Sequence, residues 1–308
     1  MFPISISGTT QQYLADLERN QTQLQVAQGQ ISSGISVQQP SDDPAAISEI
    51  LQTQTAISNN QQIQSNLTNV TTEVNTADSA LQTAVQAMES AISLAAQGAT
   101  STSTADTRTT LAQQISGLQQ TLMGVAQTTV NGRYIFSGDQ DSQPPYSLDP
   151  SQPEGVQQLV TSTSTRVIQS VDGTSFAVAL TAQQIFDPKN SDGTPATGNV
   201  FAAMQNLQTA LTNNDTAGIA SAASSLKSAD TYLNDQLAFY GEVENRVTSA
   251  TDLAQKFQTQ QQTQLSNLQD TDIPTVATEI TQLQSQQQAS MEVEANLGQM
   301  KNLFSFLA

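Results

Sequence analysis

Cysteine, histidine and tryptophan are all absent from this chain of 308 residues. Without cysteine and histidine there is no disulfide framework, no zinc finger and no thiol or imidazole catalysis. Basic residues are scarce too, because 9 lysines and arginines stand against 27 acidic residues, for a formal net charge of -18. A surface so negative repels phosphate backbones, which argues against nucleic acid as a partner.

Long hydrophobic runs are also missing. No stretch approaches the roughly 20 apolar residues that a membrane-spanning helix needs, so no membrane insertion is expected. The first residues, Met1–Ser7, lack the basic segment and the long apolar segment of an ordinary secretory signal. The chain is therefore expected either to stay in the cytoplasm or to be exported by a route that needs no cleaved signal.

Glutamine, in contrast, is abundant, with 46 in the printed sequence, while only 5% of residues are aromatic. Such a composition is compatible either with disorder or with long helices that have narrow apolar faces. Periodicity favours helices, because apolar residues in 63–95 and 226–268 recur at alternating steps of three and four. That alternation is typical of coiled-coil or helix-bundle seams.

The middle of the chain has a different pattern. The turn dipeptide Asp172-Gly173 separates two β-type segments, 166–171 and 174–180, and predicts a hairpin. The expected fold is therefore mainly α with a β-rich insert, built as an elongated rod with the β domain at the end far from the chain termini. The predicted domains are a terminal coiled coil (1–42 with 271–308), a helical bundle (43–137 with 199–270) and a β-rich outer domain (138–198).

The two terminal helices have thin apolar seams that cannot offset the cost of ordering them alone. They are expected to be disordered in the isolated chain and to fold by pairing with each other and with neighbouring subunits. The alternative is that both ends simply complete a bundle within one chain. The residues predicted to form assembly contacts are Leu14, Leu17, Leu24, Ile31, Ile280, Leu283, Leu297 and Phe304.

Adjacent carboxylates at Asp42 and Asp43 could suggest a catalytic pair. Because Pro44 follows, a helix cap explains them better: the carboxylate accepts free amides and proline lacks the amide that would be left unpaired. Arg133 could pair across a subunit contact, although a local ion pair is the simpler interpretation. The sequence shows no catalytic, cofactor-binding or metal-binding constellation, so no enzyme is expected.

Several motifs together indicate a family. The segments Gln30–Gly34 and Pro40–Ala46 resemble the N-terminal signature of bacterial flagellin-like proteins. The form Pro-Ser-Asp-Asp-Pro is similar to that of the hook–filament junction proteins, known as hook-associated protein 3, rather than flagellin. Asn131–Gly138, Leu268–Asp272 and Leu303–Leu307 also resemble segments of that family. The resemblance covers residues 1–138 and 200–308.

The resemblance implies a structural protein of the bacterial flagellum, exported by the flagellar type III apparatus and therefore extracellular. Its implied partners are neighbouring copies of itself, the other hook–filament junction protein, flagellin, and a cytoplasmic export chaperone that holds the C-terminal helix, about Pro274–Phe306. Flagellin itself, the filament subunit, is one alternative. A secreted coiled-coil tether or binding module that forms no polymer is another.

Overall fold

The computed structural model describes the backbone of residues 6–306 and the side chains of residues 11–293 and 295. Helices dominate this part of the chain, as predicted. Their bounds are α1 (Ile6–Ser33), α2 (Ile47–Ala99), α3 (Ala105–Ala126), α4 (Ala182–Phe186), α5 (Val200–Thr212), α6 (Thr216–Gln269) and α7 (Ile273–Phe306).

The strands form three separate antiparallel hairpins in the middle of the chain, which confirms the prediction of a mainly α fold with a β-rich region. Asn131 and Gly132, with φ of 52° and 77°, form the tight turn of the first hairpin. The predicted hairpin around Asp172-Gly173 is confirmed. The pairs are β1 (Thr129–Val130) with β2 (Arg133–Tyr134), β3 (Tyr146–Leu148) with β4 (Val156–Gln158), and β5 (Val167–Gln169) with β6 (Ser175–Ala177).

The chain divides into two compact units. The terminal unit takes the two chain ends, residues up to Asn59 and from Gln258 onward, and the central unit takes Asn60–Phe257. Helices α2 and α6 each contribute to both. The three-domain division made from the sequence stays a prediction.

The core of the central unit follows the seams that the sequence spacing predicts. In α2 the residues stepping by three and four are buried, and they pack with the matching row of α6 and with α3. This regular burial explains why helices of 53 and 54 residues form from a sequence with so few large apolar side chains. The buried α2 row is Leu67, Val70, Val74, Ala77, Leu81, Ala84, Met88, Ala91 and Ala95.

Aromatic side chains join the β-rich region to this helical core. The ring of Phe136 makes edge-to-face contacts with Phe186 and Tyr240, at centroid distances of 6.2 and 6.3 Å. The hydroxyl of Tyr240 accepts a hydrogen bond of 3.1 Å from the amide of Leu180. One buried cluster therefore runs through both the helices and the hairpin segments of the central unit.

A buried carboxylate ties three further segments of the β-rich region together. Asp187 is fully buried and accepts hydrogen bonds from the Tyr146 hydroxyl (2.8 Å) and from the Asn199 amide nitrogen (2.7 Å). Lys189 Nζ lies 3.3 Å from Asp187 Oδ2, so the buried charge has a countercharge. Burial, reinforced by the adjacent carboxylate of Asp187, raises the pKa of the Tyr146 hydroxyl, which keeps it protonated as a donor.

Among the arginines of this unit that make contacts within the chain are Arg108 and Arg133. Arg108 is buried, where its Nε donates to Gly98 O (2.8 Å) and its guanidinium donates to Asn214 Oδ1 (2.5 Å). It thereby binds the free carbonyls at the end of α2 and fixes the turn before α6. Arg133 forms an ion pair with Asp141, eight residues further along the chain. This contact agrees with the interpretation of Arg133 as a member of a local ion pair.

Asp230 of α6 has a half-buried carboxylate. Its Oδ1 is buried and has no hydrogen-bond partner in the described part of the chain. Desolvation, followed by the charge of Glu89, raises its pKa. Because the folded-state pKa lies above the unfolded one, the protonated form is favoured on folding, and stability falls as pH rises through the folded pKa.

We expect Asp230→Asn to raise the melting temperature at pH 7 and to weaken the fall in stability that accompanies a rise in pH above the ordinary pKa of an aspartate, about 4. Thermal unfolding followed by circular dichroism measures both effects. Asp252→Asn is the matched control, since Asp252 is an exposed residue of the same helix and its loss changes the net charge equally. An equal gain in both variants would mean that relief of overall charge repulsion, not the Asp230 site, is responsible.

Candidate assembly interface

The terminal unit is built on an antiparallel pair of helices, α1 and α7. The hydroxyl of Tyr13 donates to the carbonyl of Ser290 (2.7 Å), and the amide of Asn20 donates to Gln286 Oε1 (3.3 Å). Residue numbers rise along α1 as they fall along α7, which fixes the direction and the register of the pair. The faces that meet are therefore those around Tyr13 and Ser290.

A short antiparallel backbone bridge connects the segment after α1 to the segment before α7. The amide of Ser36 donates to the carbonyl of Gln269 (2.7 Å), and that of Thr271 donates to the carbonyl of Gly34 (2.9 Å). Ile35 and Asp270 form the bridge between these bonds. Gly34 has a φ of 73°, the left-handed conformation that commonly ends helices. It directs the backbone into the bridge with Asp270.

The seam between α1 and α7 is thin. Among the described side chains of the terminal unit, the buried apolar residues are few and mostly small. Polar atoms are buried here without partners as well, such as Asn20 Oδ1 and Gln261 Oε1. The described side chains of this unit thus form no counterpart to the continuous apolar core of the central unit. Its buried apolar residues are Ala27, Val37, Ile50, Val276 and Leu283.

The predicted assembly residues occupy three different environments. Leu283 is buried in the seam, whereas Leu14 is 47% exposed. Leu297 and Phe304 belong to α7, but their side chains lie outside the described residues. The remaining four, Leu17, Leu24, Ile31 and Ile280, are half-buried.

The sequence interpretation missed two residues of the seam, Ala27 and Val276. Both fit the alternating steps of three and four: Ala27 lies between Leu24 and Ile31, and Val276 lies four residues before Ile280. The signal was present, but alanine and valine contribute little to a pattern judged from the largest side chains. The periodicity, rather than residue size, identifies the inward face.

One side of the helix pair presents apolar side chains to solvent. Ile273, Ile280 and Met291 are spaced by 7 and 11 residues, close to two and three helical turns, so they share one side of α7. Leu14 follows Tyr13 on α1, and Met291 follows Ser290 on α7, so each lies one residue beyond the hydrogen-bonded pair. One residue corresponds to a rotation of about 100° around a helix axis. In two antiparallel helices this rotation carries both side chains toward the same side of the pair. We call Leu14, Ile273, Ile280 and Met291 the apolar edge.

Among the described residues, the apolar edge is largely accessible to solvent. Ile273 is 51% exposed, Met291 is 49% exposed, and only Ile280 is half-buried. Exposed apolar side chains that form a contiguous patch are typical of surfaces that another molecule covers. That the predicted residues form assembly contacts stays a prediction.

Charge does not help copies of the terminal unit to attract one another. In the printed sequence, its two segments contain ten acidic residues against two basic ones, Arg19 and Lys301. Arg19 lies 3.3 Å from Asp16 on the same helix, and both side chains are well exposed. Like charges repel, so contacts between such units have to come from apolar and amide groups, aided by salt screening.

The residues predicted as a helix cap have separate roles. Asp43 Oδ1 accepts hydrogen bonds from the amides of Ala45 (3.0 Å) and Ala46 (3.1 Å) in the turn that leads into α2. Asp42 instead accepts from the preceding amides of Gln38 (2.9 Å) and Gln39 (2.7 Å). The assignment of Asp42 to the helix cap is therefore corrected: its carboxylate closes the loop before the helix.

Pro44 also departs from its predicted position. The sequence placed it in the first turn of the helix, but α2 begins at Ile47 and Pro44 lies in the preceding turn. The amide of Ile47 donates to the carbonyl of Asp43 (3.2 Å). Asp43 thus accepts hydrogen bonds from the free backbone amides of this segment through both its side chain and its carbonyl. These bonds explain the residue without a catalytic role.

Metal ligation and membrane insertion have no structural signal in the described residues. No three side chains of Asp, Glu, His or Cys there come together in the way that metal ligands do. In the same part of the chain, no helix combines the length and the apolarity needed to cross a membrane.

Comparisons of the sequence with protein families find two matches. The model of the bacterial flagellin N-terminal helical region matches residues 4–141. The model of the bacterial flagellin C-terminal helical region matches residues 223–307. No curated protein sequence matches the chain.

Solved structures with a similar fold come from flagellar proteins. A protein assigned as flagellar hook-associated, from Vibrio parahaemolyticus, has a TM-score of 0.64 and 17% identity, covering 74% of this chain and 100% of its own. Hook-associated protein-3 from Legionella pneumophila has a TM-score of 0.61 and 14% identity, covering 71% and 98%.

The flagellar junction protein FlgL from Legionella pneumophila has a TM-score of 0.55 and 14% identity, covering 65% of this chain and 99% of its own. At these identities the likeness concerns the fold. The two flagellin models match both chain ends in their proper order, and the resemblance found in the sequence motifs is thereby confirmed. This chain belongs to the bacterial flagellin family.

Proposed function

We propose that this chain is a structural subunit of the bacterial flagellum that forms the junction between hook and filament. The observation that carries the proposal is the match of its fold to solved hook-associated and junction proteins over 98–100% of their lengths. Flagellin family membership supports a flagellar role. The motif Pro40–Pro44 favours the junction over the filament.

The same proposal includes the way in which the subunit assembles. The terminal helices bind neighbouring subunits through the apolar edge and the predicted residues of α1 and α7. Support comes from the exposure of Leu14 and Met291 and from the thin seam that the helices share. The neighbours are copies of this chain, the other junction protein toward the hook, and flagellin toward the tip.

Export through the flagellar type III apparatus completes the proposal. Membership of the flagellin family supports this route. Before export, a cytoplasmic chaperone is expected to hold α7, whose exposed apolar residues would otherwise lie free in the cytoplasm. The terminal helices of the unassembled chain are accordingly expected to be disordered.

A filament subunit is the second candidate, because both matching family models describe flagellin. The two functions differ in where the protein lies. A junction protein occupies a short zone at the base of the filament, whereas a filament subunit is distributed along its whole length. Labelling the protein on intact flagella and imaging the label by electron microscopy distinguishes the two.

Complementation of a strain that lacks the gene tests the function. Cells without the chain are expected to build hooks but to hold no attached filaments, and the wild-type chain is expected to restore both filaments and motility. A Leu14→Asp variant should restore roughly tenfold fewer filaments or none, because a carboxylate on the apolar edge cannot be buried without a partner. Counting filaments per cell by electron microscopy measures the effect.

The matched control is Gln12→Asp, which adds the same charge at an exposed position on another side of α1. It should restore filaments nearly as well as the wild-type chain. If cells without the gene still carry firmly attached filaments, the junction function is wrong. If both Asp variants restore filaments equally, the apolar edge is not an assembly contact.

A further inference from the structure

The oxidation chemistry of this chain is concentrated in its methionines. Cysteine, histidine and tryptophan are absent, so the thioether of methionine is the reactive sulfur, and the chain has six of them. A hydroperoxide converts this thioether to a sulfoxide, changing a flexible apolar side chain into a polar one. The consequence for the protein depends on which methionines the oxidant reaches.

The structure separates the methionines by accessibility. Met88, Met123 and Met204 are buried in the core of the central unit, at 0%, 5% and 0% exposure. Met291 is 49% exposed. The side chains of Met1 and Met300 lie outside the described residues. Among the described methionines, Met291 is thus the one that a dissolved oxidant can reach without any opening of the core.

Met291 also has a particular position. It belongs to the apolar edge and directly follows Ser290, whose carbonyl accepts the hydroxyl of Tyr13. Leu14 lies on the same side of the helix pair, next to Tyr13. An oxygen atom added to the sulfur of Met291 would therefore place a strong dipole at the end of the apolar edge where Leu14 lies, on a surface that the proposed assembly dehydrates.

We propose that Met291 is a reversible oxidation site that controls whether the apolar edge can assemble. The sulfur lone pair attacks the outer oxygen of a hydroperoxide, the O–O bond breaks and an S–O bond forms. The proton of that outer oxygen passes to the departing oxygen, so the peroxide, reduced by two electrons, leaves as water or an alcohol. A methionine sulfoxide reductase restores the thioether at the expense of two thiols, which become a disulfide while the oxygen leaves as water.

The effect on assembly rests on the proposed function. Burying a sulfoxide in an apolar contact removes it from water without a compensating hydrogen bond, so the contact weakens. The fold is unaffected, because Met291 contributes an exposed side chain and its sulfoxide leaves the backbone hydrogen bonds of α7 in place. The free chain is therefore sensitive to peroxide, whereas an assembled subunit protects Met291 by covering it.

The first measurement follows oxidation of the purified full-length chain. Hydrogen peroxide is added, and mass spectrometry of the proteolytic peptides gives the oxidation rate of each methionine separately, including Met1 and Met300. Met291 is expected to oxidise at least tenfold faster than Met88, Met123 and Met204. Equal rates at Met291 and Met88 would overturn the proposal.

The second measurement adds treated and untreated chains to hooks isolated from cells that lack the gene. Treatment is expected to lower incorporation roughly tenfold, which corresponds to about 1.4 kcal/mol. A Met291→Leu chain, treated in the same way, should incorporate as the untreated wild type does, and untreated Met291→Gln should incorporate poorly. Circular dichroism checks that treatment leaves the melting temperature unchanged.

The outcomes separate the two proposals. If treated wild type and treated Met291→Leu lose incorporation equally, another methionine is responsible and the inference is wrong. If assembled subunits oxidise at Met291 as fast as free ones, the apolar edge is not covered and the inference fails. If the untreated wild type itself does not incorporate, the proposed function fails and the effect on assembly fails with it. The relative oxidation rates still show in that case whether Met291 is the preferred oxidation site.

Discussion

A chain without residues 1–30 is expected to keep a folded core and to lose incorporation into the flagellum completely. The deletion removes most of α1, including Leu14 of the apolar edge and Leu17, Leu24 and Ala27, which belong to the face that meets α7. Helix α7 then has no partner within the chain, and one amphipathic helix cannot bury its own apolar face.

The core should survive because it belongs to the central unit. Its buried cluster extends from Leu67 to Ala254, and no residue of the deleted segment contributes to it. The melting temperature of the main transition, followed by circular dichroism, should therefore change by no more than about 2 °C. A loss of this transition would mean that α1 is needed for the core to fold.

Incorporation is best measured with purified chains, since the deletion could also impair export. Truncated and full-length chains are added to hooks from cells that lack the gene, and bound protein is quantified. The control is a full-length chain in which residues 1–30 keep their length but Leu14, Leu17 and Leu24 become Ser. Both altered chains should fail to bind. Binding of the truncated chain at the wild-type level would show that the terminal helices are dispensable.

Replacement of Asp187 by Ala is expected to produce the largest loss of stability of any single substitution considered for this protein. The carboxylate is fully buried and holds the Tyr146 hydroxyl, the Asn199 amide and the Lys189 ammonium. Its removal takes the acceptor from the Tyr146 hydroxyl, leaves the Asn199 side-chain nitrogen with a longer bond to Pro188 O (3.4 Å), and leaves Lys189 with Glu154 at 3.6 Å as its remaining countercharge. Breaking a buried charge pair in this way costs about 3–5 kcal/mol.

The loss should extend beyond the site itself because Asn199 has a second function. Its Oδ1 accepts a hydrogen bond of 2.8 Å from the amide of Ala202 and so caps the start of α5. Asp187 orients this side chain by accepting from its nitrogen. Without the carboxylate, the cap is free to rotate, and loss of an N-cap costs about 1 kcal/mol.

Urea unfolding of the central unit measures the change in free energy. Tyr146→Phe removes one of the three contacts and is expected to cost about 1–2 kcal/mol. Asp192→Ala is the matched control, because Asp192 lies in an exposed turn of the same region and binds only Thr194. Its expected cost is below about 1 kcal/mol. Similar losses for Asp187→Ala and Asp192→Ala would show that the buried network does not stabilise the fold.

The long helices could be predicted from the sequence because their signal is local and repeated. The steps of three and four from Leu67 to Ala95 reappear as the buried row of α2. The hairpin at Asp172-Gly173 was predictable for a similar reason, since its turn residues and its paired strands are adjacent in the chain. In both cases a few neighbouring residues determine the local conformation.

The buried networks could not be predicted in the same way. Arg108 binds Asn214, and Tyr146 binds Asp187, across 106 and 41 residues of sequence. No local pattern indicates such partners, because they depend on how distant segments fold against one another. The same limit explains Asp42, which accepts from the loop behind it although its position before Pro44 is typical of a helix cap.

The sequence by itself determined the helical and hairpin segments, the family, and the exclusion of cysteine and histidine chemistry. These follow from residue types and spacings, which act over a few positions of the chain. The tertiary structure decided which apolar residues remain in water. Leu283 and Leu14 belong to one predicted set, yet the seam buries the first and leaves the second 47% exposed. Burial depends on the register and the facing side of two helices that lie more than 200 residues apart in the sequence.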